Sequence, residues 1–243
     1  MTGAAVFNQA LREIRRLELD ADAERDFVLA LEAARPGPLD LFYGLAHEAG
    51  LSRDELMLRT AGLFCGFAAG NLADDLIDGD CDYLSRPAAI GPSVQYGLQH
   101  LGYALLLRSD TDADAVAAMA RHLALAGGAE HRERGSYDAQ KFIDVAEGIA
   151  GLQWQGYLPV LWAGREGVDS SELGRVLGLA LHVAEDIRSR DERFVSMSLA
   201  DRRQIARWGL DLIEALKRAG SPCLARVADT LRPTCANAEG DAG

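Results

Sequence analysis

The sequence predicts an all-α protein with one domain, and three observations carry that prediction. Apolar residues recur at three-and-four spacing through most of the chain. Capping signals stand directly ahead of the long apolar stretches. No segment shows the alternation of a half-buried strand, and no repeat or low-complexity linker divides the 243 residues.

The elements follow in order. Residues 6–17 and 21–34 each read as an amphipathic helix, and the Pro36-Gly37-Pro38 break ends the pair. Ser52-Arg53-Asp54-Glu55 is a capping box, in which the Ser and Glu side chains satisfy each other's orphan backbone N–H groups. It opens a long apolar helix running to Asp78. Further helices are expected at 93–108, 113–125 and 138–162, the last kinked at Pro159, which lacks a donor and crowds the preceding turn. Asp169-Ser170-Ser171-Glu172 opens a helix to Arg190, and Ser221-Pro222 reads as an N-cap followed by proline at the first helical position. The domain is expected to span residues 1–232, with 233–243 a flexible tail.

Composition narrows the function. With 49% hydrophobic and 26% charged residues, the chain has enough apolar material for a sizeable core. A net charge of -12 leaves no basic face for a nucleic-acid backbone or an anionic membrane, although local arginines still suit a small anion. Cys65, Cys81, Cys223 and Cys235 form no CxxC pair and have no His at ligand spacing, which predicts reduced structural thiols and a cytoplasmic protein. The N-terminus has no signal-peptide pattern, and the longest apolar stretch, residues 61–73, is too short to span a bilayer, so no transmembrane segment is expected.

Chemistry is concentrated in two acidic clusters. Asp74, Asp75 and Asp78 lie at helical three-and-four spacing, where like charges repel, and at a helix C-terminus, which disfavours anions. Asp80 and Asp82 add to the conflict. The cluster is either a solvated acidic helix end or a site for a hard divalent cation that prefers oxygen ligands. The second cluster, Glu185-Asp186-Ile187-Arg188-Ser189-Arg190-Asp191, also ends an apolar helix. It reads either as intrahelical ion pairs such as Asp186–Arg190, or as a second set of carboxylates facing the first across one cavity, with magnesium bridging a diphosphate.

Several weak motifs now form an ordered series. Asp74-Asp75-Leu76-Ile77-Asp78 resembles the first aspartate-rich motif (DDxxD) of the trans-prenyl diphosphate synthases. Ser85-Arg86-Pro87-Ala88 and Gly91-Pro92-Ser93 resemble the stretch after it, with its Arg pair and Gly-Pro turn. Ala126-Gly127-Gly128-Ala129-Glu130 resembles a degenerate Gly-Gly-Gln, and Leu181-His182-Val183-Ala184-Glu185-Asp186 resembles the second motif (FQxxDD) with Glu for its first Asp. The resemblance runs over residues 39–216.

It implies the class I isoprenoid synthase fold, a single-domain helical bundle around a central cavity, and a homodimeric, Mg2+-dependent enzyme that ionises an allylic prenyl diphosphate. Asp74, Asp75, Asp78, Glu185 and Asp186 would hold the metal, and Arg86, Arg190, Arg188 and Lys141 the diphosphate. Phe67, Ala69, Gly70, Asn71, Gln153, Trp154 and Tyr157 would line the substrate pocket, with Asn71 orienting a ligand carboxylate. Any one of the aromatics reads first as core packing, and His182 reads as a core histidine, since magnesium disfavours imidazole. The small residues Gly66, Ala69 and Gly70 leave the pocket floor open from that helix.

Departures from the family pattern sharpen the expectation. No Lys or Arg stands in residues 39–50, where chain-elongating members carry a basic Gly-Lys-Arg, and Gly151-Leu152-Gln153 stands near the place of the family's Lys-Thr. A second diphosphate then lacks a docking site, so a class I terpene synthase is the leading expectation. A trans-prenyltransferase with an altered acceptor site and a non-catalytic regulatory subunit are the alternatives.

Overall fold

The computed structural model describes residues 3–35, 38–129, 136–162 and 168–240. Among them the chain forms twelve α-helices, one π-helical turn and no strand. It divides into two compact units, Met1–Val116 and Ala117–Gly243.

The first unit contains α1 (Gly3–Arg15), α2 (Ala21–Ala34), α3 (Leu39–Glu48), α4 (Arg53–Asp78) and α5 (Pro87–Arg108). Its axis is α4. The Ser52 box is complete: Glu55 donates its backbone N–H to Ser52 Oγ at 3.4 Å, and Ser52 donates its own to Glu55 Oε2 at 3.1 Å. Ala61, Leu63, Phe64, Cys65, Ala68 and Leu72 are buried. α5 packs along α4, with α1, α2 and α3 around it. The α4–α5 crossing is close because both helices offer glycine: a Cβ on Gly62 would lie 2.9 Å from the Gly102 carbonyl oxygen, and one on Gly102 would lie 2.7 Å from that of Gly62. α4 is long and apolar enough to cross a membrane by composition, but 67% of its apolar window is buried, so core packing accounts for its character.

The second unit receives α6 (Ala113–Ala129), whose first turn contains the boundary, then α7 (Ala139–Ala146), a π-helical turn (Glu147–Gly151) and α8 (Leu152–Leu161). α9 (Ser170–Ser189), the short α10 (Glu192–Ser196), α11 (Leu199–Arg218) and α12 (Pro222–Gly240) complete it. α9 lies at its centre, in contact with α8, the π-helical turn, α11 and α12. Glycines set this approach as well. A Cβ on Gly174 or Gly178 would lie 2.2 Å from the carbonyl oxygen of Trp154 or Ala150 respectively.

Several expectations need correction. Residues 233–240 are not a tail: α12 continues through Pro233 to Gly240, held by the fully buried Cys235, whose Sγ lies 2.9 Å from where a Cβ on Gly209 would sit. Gly91-Pro92 is not a turn but lies inside α5, which begins at Pro87; Gly91 lets Leu76 of α4 pack against the backbone, and a Cβ there would meet it at 2.7 Å. The segment 138–162 departs from α geometry at Glu147–Gly151, while Pro159 sits inside α8. After Pro38 the chain forms α3, a helix not assigned from the sequence. Pro36, Gly37, Glu130 and residues 241–243 lie outside the described residues.

Candidate active site

The first acidic motif occupies the last two turns of α4. Gly79, at φ 82°, ends the helix in the left-handed region that glycine adopts without steric cost. Its N–H and that of Asp80 both donate to the Asp75 carbonyl, at 3.0 and 2.9 Å. The chain then folds back, with Cys81 and Leu84 each only 3% exposed. This return brings Tyr83 to the motif. Its hydroxyl donates to Asp75 Oδ2 at 2.7 Å, and Asn71 Nδ2 donates to the same oxygen at 3.0 Å. Burial, followed by the Asp75 carboxylate, raises the Tyr83 pKa, so the phenol stays a donor. Burial also raises the Cys81 thiol. Asp74 and Asp78 are exposed and Asp75 is half-buried. Among the described residues, no basic side chain pairs with Asp75 or Asp78.

The motif continues an open face of α4. Gly66, Gly70, Asp74 and Asp78 recur at four-residue spacing and so share one side of the helix. Gly70, Asp74 and Asp78 are exposed, and nothing lies within 4 Å of a Cβ built on Gly66. Ala69 is buried, at 2% exposed. Phe67 is half-buried and edge-on to Phe42, with ring centroids 6.3 Å apart.

The second motif ends α9 with the same backbone device and different neighbours. Arg190 takes the left-handed position at φ 57°, and the N–H groups of Arg190 and Asp191 both reach the Asp186 carbonyl. Here the carboxylates already have cations. Glu185 is ion-paired with Arg188. Asp186, buried, has His182 Nε2 at 3.6 Å and Arg193 at 3.9 Å. Asp191 caps α10 and accepts two hydrogen bonds from the Arg193 guanidinium, at 2.8 and 3.0 Å. Burial opposes ionisation of Asp191, but those bonds and the Arg193 charge outweigh it and hold its pKa below the ordinary value. Burial first, then the Arg193 charge, pushes His182 from 6.5 down to about 4, so the ring is neutral at physiological pH.

The other predicted residues fall into two groups. Arg86 and Arg190 are exposed helix-end residues, Arg86 preceding the first turn of α5. Lys141 is engaged locally, donating to the Ser136 carbonyl at 3.2 Å with its ammonium 4.6 Å from the Tyr137 ring centre. Trp154 and Tyr157 are core residues of the second unit, edge-to-face at 5.9 Å, and Gln153 donates to the Tyr157 hydroxyl at 3.4 Å. Sequence reasoning missed Tyr83, because no spacing rule links a turn residue to the helix it folds back on.

Among the described residues, no three of His, Cys, Asp and Glu converge into a ready metal cage. Magnesium does not need one, since it keeps waters and binds through one or two carboxylates plus substrate phosphates. The α4 end fits it on donor chemistry: its donors are all oxygens, and Asp75 is oriented by two neutral hydrogen-bond donors rather than neutralised by a cation. The α9 end fits less directly, because Glu185 and Asp186 have to exchange cationic neighbours for the metal. A cleft of about 630 Å³ in the first unit, lined by Arg12, Arg16, Arg53 and Arg108, belongs to the far end of α4. Its centre is the buried Glu13, bonded by Arg16 at 2.6 Å and Arg108 at 2.8 Å, and none of the predicted site residues lines it.

Helices arranged in this way define the isoprenoid synthase fold, as the resemblance implied. The chain is similar in structure to a geranyltranstransferase from Thermotoga maritima, with a TM-score of 0.69 and 15% identity over 95% of this chain and 97% of that one. It is likewise similar to a geranyltransferase from Legionella pneumophila, with a TM-score of 0.65 and 16% identity over 96% of this chain and 97% of that one. Identities this low establish the fold. No family model matches the chain, and no curated protein matches it in sequence.

Proposed function

We propose that the protein is a magnesium-dependent prenyltransferase of the trans-prenyl diphosphate synthase kind, acting on an allylic prenyl diphosphate, with an acceptor site altered from the chain-elongating pattern. The observation that carries this is the carboxylate cluster at the end of α4, with Asp75 hydrogen-bonded by Asn71 and Tyr83. That the two solved structures compared above are named as geranyl-transferring enzymes favours transfer over the cyclisation expected from sequence alone.

In this reading Asp74, Asp75 and Asp78, with Glu185 and Asp186, hold Mg2+, which supplies the charge neutralisation that diphosphate needs in order to leave. Arg86, Arg188, Arg190 and Lys141 donate to its phosphate oxygens, Arg being suited by its planar fork. Phe67 and the open Gly66–Gly70 face of α4 receive the prenyl chain, where an aromatic face favours the developing allylic cation. The enzyme works as a homodimer in the cytoplasm. Cyclisation or simple diphosphate loss is the second reading, favoured by one observation: α3 carries no Lys or Arg, so the usual acceptor diphosphate lacks its partner there.

The test is to incubate the purified protein with Mg2+ and C10, C15 or C20 diphosphates, with and without isopentenyl diphosphate. Longer diphosphates that form only with the acceptor support transfer. Hydrocarbons or alcohols from one substrate support the second reading. No turnover of any substrate overturns both and favours a regulatory subunit.

A further inference from the structure

The start of α4 carries charge of the opposite sign to its end. A chain of net charge -12 gathers Arg12 and Arg16 of α1, Arg53 of α4 and Arg108 of α5 around the cleft of about 630 Å³. Two carboxylates, Glu13 and Asp54, share the lining, so two positive charges stand in excess. Helix spacing causes the gathering: Gln9, Arg12, Glu13 and Arg16 recur three and four apart and share one face of α1. Glu13 organises that face from its buried position, 3% exposed. Its Oε1 accepts from Gln9 Nε2 at 2.8 Å and Arg16 at 2.6 Å, and its Oε2 from Arg108 at 2.8 Å. Gln9 Oε1 in turn accepts from Arg12. Arg16 and Arg108 already supply the counter-charge of Glu13. Arg12 and Arg53 are exposed, and among the described residues neither has an ion-pair partner. They add a repulsion that Asp54 offsets only in part and that an arriving anion removes.

We infer that this cleft binds a diphosphate group without metal, at a second site separate from the acidic end of α4. Asp54 and Asp74 lie 20 positions apart on one helix, roughly 30 Å at 1.5 Å per residue. Guanidinium forks pair with phosphate oxygens two at a time, and here they converge from three helices, held in place by a buried carboxylate. The volume falls in the range of small-molecule sites and exceeds what inorganic diphosphate fills. Met57 and Leu58 line the remainder, so the diphosphate is either free or the end of a larger molecule. The inference does not rest on the metal reading. The alternative is a set of arginines that only balances Glu13, which would bind no anion.

The experiment is calorimetric titration of the full-length protein in excess EDTA with inorganic diphosphate and with ADP, at low and high salt. The variants are Arg12→Gln, Arg53→Gln, the pair together and Asp74→Asn/Asp78→Asn, with melting temperature measured in parallel. The unaltered protein should bind diphosphate, more weakly at high salt. Each single variant should bind roughly 5-fold more weakly and the pair about 20-fold, with unchanged melting temperature. The α4-end variant should bind as the unaltered protein does. If the pair folds poorly, the single variants decide. Tighter binding of ADP than of inorganic diphosphate supports a site for a larger molecule, and equal binding supports one for the anion alone. Absence of binding in EDTA, or binding that survives loss of Arg12 and Arg53, overturns the inference. Measured against diphosphate alone, the stabilisation that Mg2+ adds reports only the α4 end, so failure here and failure of the metal reading are distinguishable.

Discussion

α4 and α9 end alike in backbone and differently in charge, and the contrast separates architecture from chemistry. Each helix closes on a left-handed residue, and in each the N–H groups of that residue and the one after it share one carbonyl, that of Asp75 or of Asp186. Each is also seated by close glycine contacts, at Gly62 and Gly102 in the first unit and at Gly174 and Gly178 in the second. On α4 the cap is a glycine, and neutral side chains bond to Asp75. On α9 the cap is Arg190, and Glu185, Asp186 and Asp191 have Arg188, His182 and Arg193 as neighbours. A helix C-terminus disfavours anions, so at α9 local cations offset the conflict. At α4 neutral donors hold Asp75, which suits a site whose counter-charge arrives with the substrate.

Substitutions at the two ends should separate them most strongly. Asp74→Ala and Asp78→Ala are expected to lower turnover by roughly 10²–10³-fold, several kcal/mol of charge stabilisation, in a steady-state assay. Glu185→Gln should cost about 10-fold, because Arg188 already neutralises much of that charge. Equal losses at both ends would break the contrast.

Next come the glycine crossings. Gly178→Ala places a Cβ 2.2 Å from the Ala150 oxygen, tighter than the 2.7 Å that Gly102→Ala would meet. The expected cost is about 3 kcal/mol or more for Gly178→Ala and about 1–3 kcal/mol for Gly102→Ala, read from urea unfolding.

Acid should weaken the second unit through His182. Its folded pKa of about 4 lies below the ordinary 6.5, so the unfolded chain binds the proton more readily. Stability from the buried neutral ring is full above pH 6.5 and is lost as pH falls toward 4, by at most about 3 kcal/mol. Asp191, with its lowered pKa, acts in the same direction. His182→Asn should flatten the stability–pH curve between those limits.

The smallest effect is the most diagnostic of Arg190. Replacing it with Gly removes a side chain from a left-handed position and should stabilise the fold by about 1 kcal/mol. The same change should weaken diphosphate binding. Stabilisation without loss of binding would mark Arg190 as a mere cap.

Local chemistry made much of this legible in the sequence. Ser52, Asp169 and Ser221 each cap the helix they were read to start, because capping depends on residues three or four apart. α4 ends at Asp78, where it was expected to, and the structure puts Gly79 in the left-handed cap position that closes it. Tertiary contacts were not legible. Gly91-Pro92 reads as a turn until Leu76 is packed against it, and Pro233 reads as a stop until Cys235 is buried beneath Gly209. The π-helical turn sits where Ala150 meets Gly178 of α9, a contact no local pattern predicts. Of the site, the carboxylates were visible as motifs. The Tyr83 bond was not, since it depends on a chain reversal. Ion pairing at the second cluster was read, but with Arg190 as the example, where the structure brings Arg188 to Glu185 and Arg193 to Asp186.

The most direct test is the melting temperature with and without Mg2+ plus inorganic diphosphate, for the unaltered protein, an Asp74→Asn/Asp78→Asn variant and Glu185→Gln. Near-saturating ligand should raise the unaltered protein by about 5 °C or more. The double change on α4 should erase that rise, and Glu185→Gln should keep at least half of it. No rise in the unaltered protein, or a rise that survives the α4 changes and vanishes with Glu185→Gln, would contradict the assignment of the metal to the end of α4.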